Sequence, residues 1–151
     1  MIQRKQTIFL FLAFILSLLC MCLPIGTFDA GGLHPVTEYN LWLVDAQGHR
    51  AFNCWPLFAI MLPSSALGVY SIFLYRNRRF QARLCTFNIL LLIGWYIVYG
   101  VFANVLGGVS GGSFQIEMAG GFPALAIAFY FLAYKGIMHD EQLVRAADRI
   151  R

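Results

Sequence analysis

Charge is scarce in this sequence of 151 residues, where 12% are charged and 60% hydrophobic, and no Asp, Glu, His or Arg falls inside its four long apolar runs. Soluble domains carry about a quarter charged residues, so an ordinary soluble domain is excluded. The missing ionisable groups also weigh against an ion-coupled carrier or proton pump working alone, because those proteins keep functional charges at membrane depth. Lys135, the one cation in a run, lies close enough to its end to reach water by its long stem.

Other absences narrow the chemistry. The four cysteines form no Cys-x-x-Cys pair, and Cys20 and Cys22 point to nearly opposite faces of a helix, so no reactive dithiol assembles from them. A structural bridge from Cys54 to either Cys20 or Cys22 stays open in an oxidising compartment. His34, Glu38, Asp45, His49 and Cys54 crowd one connection without the paired spacing of a zinc site. The stretch LGGVSGGSF lacks the Gly-Lys-Ser/Thr of a phosphate loop and reads as a flexible turn or a short re-entrant dip. No cofactor, metal ligand or catalytic constellation is expected.

What is present is apolar length. Uncharged runs cover residues 7–28, 56–75 and 84–105, and a fourth covers 119–138. A helix needs about 20 apolar residues to cross a hydrocarbon layer about 30 Å thick. Each run is therefore expected to be a spanning helix, since backbone polar groups in lipid must be satisfied internally. The first run is too long for a signal peptide core and lacks a small-residue cleavage site, so it is read as a retained helix. The expected fold is an all-α, antiparallel four-helix transmembrane bundle in one domain.

Four crossings put Arg4, Lys5, Arg76, Arg78, Arg79, Arg83, Lys135, Arg145, Arg149 and Arg151 on one face, and Arg50 alone on the other. Lys and Arg mark the cytoplasmic side. The termini and the arginine-rich connection 76–83 are thus expected inside a bacterial inner membrane, with connections 29–55 and 106–118 outside. Arg76, Arg78, Arg79 and Arg83 set orientation and can meet lipid headgroups. Nucleic acid is not needed to explain them.

The outer connection 29–55 is long enough for structure of its own, and EYNLWLV, DAQG and HRAFNCW read as a β-hairpin. The tail 139–151 reads as a short amphipathic helix, with Leu143, Ala147 and Ile150 on one face and Glu141 paired to Arg145. Small residues at four-residue spacing, Ala13 with Ser17, Ser64 with Gly68, and Gly120 with Ala124 and Ala128, allow close helix approach. Asn88 and Asn104, with Thr86, Ser64 and Ser65, read as interhelical hydrogen-bonding residues worth about 0.6 to 2 kcal/mol each.

The segments MIQRKQT, YRNRRFQARL and HDEQLVRAADRIR make the chain resemble, over its full length, a family of small four-span inner-membrane proteins from Bacteroidetes-type bacteria, known as a domain of unknown function. The resemblance implies four helices and brings no activity, cofactor or catalytic residue. The sequence thus points to a non-enzymatic accessory or scaffold subunit binding lipid and other membrane proteins or itself. Its rivals are an oligomeric transporter or channel lined by Asn88, Asn104, Ser64 and Ser65, and a membrane enzyme using His34 or His49 on lipid or quinone. A reporter enzyme fused after Asn77 is expected to report the cytoplasm; activity on the outer face overturns the topology.

Overall fold

In the computed structural model, residues 3–29, 35–45, 47–74, 77–110 and 113–149 are described. The chain is mostly helical: α1 covers Gln3–Cys22, α2 Trp55–Phe73, α3 Arg78–Ser110 and α4 Phe122–Arg149. Five short strands, β1 Gly26–Asp29, β2 Val36–Glu38, β3 Leu43–Val44, β4 Arg50–Ala51 and β5 Ser113–Ile116, form an antiparallel sheet in the order β4-β3-β2-β1-β5. Turns of 3-10 helix at Phe52–Cys54 and Met118–Gly121 lead into α2 and α4.

All the strands gather at one end, because both of the connections that supply them leave the bundle there. Consecutive helices therefore run antiparallel, and each packs on two neighbours: α1 and α3 both touch α2 and α4. Ala13, Ser17 and Cys20 of α1, Met61 and Ser64 of α2, Asn88, Leu92 and Trp95 of α3, and Ala126, Tyr130 and Ala133 of α4 are buried between the helices. The outward faces stay apolar, with Phe11, Leu62, Leu90, Ile97 and Leu125 exposed. Three helical segments, Phe52–Phe73, Arg78–Val105 and Met118–Ala146, are long and apolar enough to cross a membrane, and Gln6–Cys22 is a shorter apolar helix.

Several expectations change. The first apolar run does not stay helical to residue 28: α1 stops at Cys22, two residues before Pro24, which lacks a donor and disfavours helical backbone in the residue before it. Its last residues instead enter β1. The hairpin expected in 29–55 exists as β3 and β4, closed by the Asp45–Gly48 turn with Gly48 at φ 79°. It belongs to a larger sheet, however, because β1 also pairs with β5, Phe28 opposite Phe114. Thus LGGVSGGSF is no dip: α3 runs on through Ser110, and Ser113 begins a strand. Nor is the tail a separate helix. Residues from Met138 onward contain no Pro or Gly, and α4 continues unbroken to Arg149.

Asn40 fastens sheet to bundle. Its fully buried amide donates to the Cys20 carbonyl at 2.6 Å and accepts from Trp95 Nε1 at 2.8 Å, while its backbone carbonyl accepts from Phe58 N at 3.1 Å. Three helices are held through one residue. Asn40→Ala leaves the Trp95 and Cys20 groups buried and unpaired and is expected to lower stability by about 2–5 kcal/mol, measured by denaturation in mild detergent against the parent chain.

Candidate functional site

Buried polar and aromatic side chains join the sheet to the helices. Asn40 sits beside Trp95, whose ring stacks on Tyr99 at 4.9 Å. Tyr99 donates its hydroxyl to the Ile25 carbonyl at 2.7 Å, and Tyr96 donates to the Gly120 carbonyl at 2.9 Å while accepting from Ala124 N at 2.9 Å. Spacings of one, three and four residues put these rings on adjoining sides of α3, so a single helix holds both connections.

Glu38 occupies the same junction with no solvent exposure. Cys54 donates its thiol to Glu38 Oε1 at 3.4 Å, and Oε2 has no partner. A β-carbon on Gly26 would stand 3.4 Å from that oxygen and closer still to the Phe114 ring, so the missing side chain lets strand, carboxyl and ring share one space. Burial pushes the carboxyl up from 4.5 to about 7, against the lowering effect of the Cys54 hydrogen bond. Such a group is a proton-holding acid near neutrality. The sequence hid it, because Glu38 reads as loop decoration until β2 turns it inward.

The opposite end of the bundle is basic. Asn77, just before α3, and Arg78, Arg79, Phe80 and Arg83 of α3 face Glu141 and Val144 of α4 across an open cleft of about 610 Å³. Glu141 Oε1 accepts from Arg79 Nε at 2.7 Å and from Arg145 Nε at 3.1 Å. The expected pair within the tail is therefore present, and a second arginine joins it from the other helix. Deeper in, Gln6 donates to Asp140 and Gln81 donates to the Ser71 carbonyl at 2.9 Å, closing α1 on α4 and α3 on α2.

The remaining candidate residues scatter. Arg76 and His34 lie outside the described residues, and His49 is exposed in the hairpin. Ser64, Ser65 and Asn88 are buried between helices, with both amide atoms of Asn88 unpartnered, whereas Asn104 is exposed and donates to the Gly100 carbonyl of its own helix. These four do not line one surface. Gly68 accommodates the Tyr130 hydroxyl. Gly120 lies in the 3-10 turn, where a β-carbon would come within 3.0 Å of the Ile25 carbonyl; Ala124 and Ala128 are exposed, and the buried small residues of α4 are Ala126 and Ala133. All four cysteines are free thiols, so neither bridge to Cys54 is formed. Among the described residues no three His, Cys, Asp or Glu side chains cluster as metal ligands.

The raised Glu38 value gives a signed pH dependence. Folded Glu38 binds its proton more tightly than it does in the unfolded chain, so the contribution of this one group to stability is greatest below about pH 4.5, falls as pH rises towards 7, and then levels off. Glu38→Gln is expected to remove up to about 3 kcal/mol of that decline, seen as a flatter melting profile against pH in detergent.

Comparison with curated proteins finds no match. A family does match, over residues 2–150, which is nearly the whole chain. With its helices, its sheet and its two polar ends described, the chain belongs to the family designated a domain of unknown function, DUF4293.

Proposed function

We propose that the chain is a four-pass protein of the bacterial inner membrane, with both termini cytoplasmic, acting as a non-enzymatic accessory or scaffold subunit for other membrane proteins. The apolar outward faces and the three segments of spanning length support membrane placement. On this reading α1 is the fourth crossing: its 20 residues make a helix about 30 Å long. The charge pattern supports the orientation, since Arg78, Arg79, Arg83 and Arg145 lie at the end away from the sheet and Arg50 lies in the sheet.

The sheet carries the accessory reading. It is a small platform pinned to the bundle by Asn40, Trp95 and Tyr99, whose polar groups are engaged in holding it. Pairing on one side only leaves β5 as an edge strand among the described residues, and the apolar side chains of Ile116 and Met118 beside it are 68% and 82% exposed. An open strand edge flanked by apolar side chains suits the addition of a strand from a protein partner. Ordering that platform in advance lowers the entropy cost of binding.

A photo-crosslinking amino acid at Met118 tests this in native membranes. The expected outcome is a discrete heavier product containing another membrane protein or a second copy of the chain, weakened by Gln115→Pro, which disrupts the edge strand. Crosslinks to lipid alone, with a lone monomer recovered in mild detergent, overturn the accessory role.

A further inference from the structure

We propose that the cleft between the first turns of α3 and the far turns of α4 binds the phosphate headgroup of an anionic phospholipid, with Arg78 and Arg83 as its ligands. This rests on the membrane placement proposed above and adds a specific ligand to it.

Charge is the first argument. Three arginines and one glutamate line the cleft, a formal excess of +2. Glu141 is committed to Arg79 and Arg145. Among the described residues, Arg78 and Arg83 have no carboxylate partner, and Arg83 is exposed. Two guanidinium groups without a counter-charge at one opening match a phosphate, which accepts paired hydrogen bonds from their planar donors. Arg78 is also the first residue of α3, so the positive end of the helix dipole acts in the same direction.

Shape decides for a lipid over a free phosphate. Phe80 and Val144 at the cleft are 45% and 44% exposed, and apolar rims suit glycerol and the first methylenes of an acyl chain. A second groove of about 260 Å³ shares Arg79, Arg83 and Glu141 with the cleft and runs between α3 and α4 past Thr86, Tyr134 and Met138. Headgroup site and chain groove are thus continuous. Arg83 directly precedes the apolar run that starts at Leu84, which puts the cleft at headgroup level and the groove at hydrocarbon level. Glu141 acts as a positioning residue: it docks the α4 extension on Arg79 and limits the charge of the cleft.

The test titrates the full chain in detergent with phosphatidylglycerol, phosphatidylcholine of the same chain length, and free glycerol phosphate, followed by native mass spectrometry. Phosphatidylglycerol is expected to bind saturably with one lipid per chain and in preference to the other two. Each of Arg78→Gln and Arg83→Gln is expected to weaken it about fivefold, and the pair about 25-fold. Glu141→Gln is expected to act in the opposite sense, tightening binding by freeing Arg79; a variant that merely loosened the fold would weaken it. Arg50→Gln with Lys135→Gln removes equal charge outside the lining of the cleft and is expected to change affinity less than twofold.

Equal binding of phosphatidylcholine, equal binding of glycerol phosphate, or an equal loss in the Arg50 and Lys135 variant overturns the site. A chain that stays monomeric and folded without detergent overturns the membrane placement as well, which separates the two failures.

Discussion

The fit of Asn40 between Trp95 and the end of α1 is the constraint on which the arrangement depends. A buried amide must satisfy donors and acceptor together, and each geometry it accepts excludes others. Here the donor takes the Cys20 carbonyl and the acceptor takes the Trp95 indole. The first follows from where α1 stops, and the second sets the rotation of α3. The Asn40 carbonyl then receives Phe58 N near the start of α2. Placing one loop residue therefore orients three helices, and Tyr96 and Tyr99, just after Trp95 and one turn on, extend the hold to the start of α4 and to Ile25 ahead of β1.

Most of the buried polar groups at that junction are spoken for. Its hydroxyl, indole and amide groups are consumed in structural bonds, and the Cys54 thiol is directed at Glu38. Glu38 is the exception, with one oxygen unpartnered. A carboxyl in such a place is most comfortable protonated, so the platform is firmest when it carries no charge there. At the far end the balance reverses: among the described residues Arg78 and Arg83 have no carboxylate partner, and the Glu141 carboxylate is shared by two arginines. One end is a closed polar joint and the other an open cationic cleft.

Much of this is legible in the sequence. The four helices follow from run length and from the prolines near the starts of α2 and α4, and the basic segment at 76–83 separates α2 from α3. The hairpin turn was legible in DAQG, where Asp and Gly stand at the two ends. The rest of the sheet was not. Strands of two to four residues are too short for periodicity to declare itself, and β5 is separated from its partner β1 by two whole helices. The α4 extension is hidden in the sequence because its polarity changes at His139 while its helical propensity does not.

Local forces and distant ones thus divide the protein between them. Apolar length, proline position and the one-sided distribution of Arg and Lys are properties of neighbouring residues, and they suffice to specify four helices and the polarity of their ends. The pairing of Phe28 with Phe114, the burial of Glu38 and Asn40, and the meeting of Arg78 and Arg83 with Glu141 at one cleft depend on how the helices pack. Each joins segments remote in the chain, and loop-closure entropy opposes such a contact until other packing has brought the segments together. Run lengths carry no information about which of these remote groups will meet.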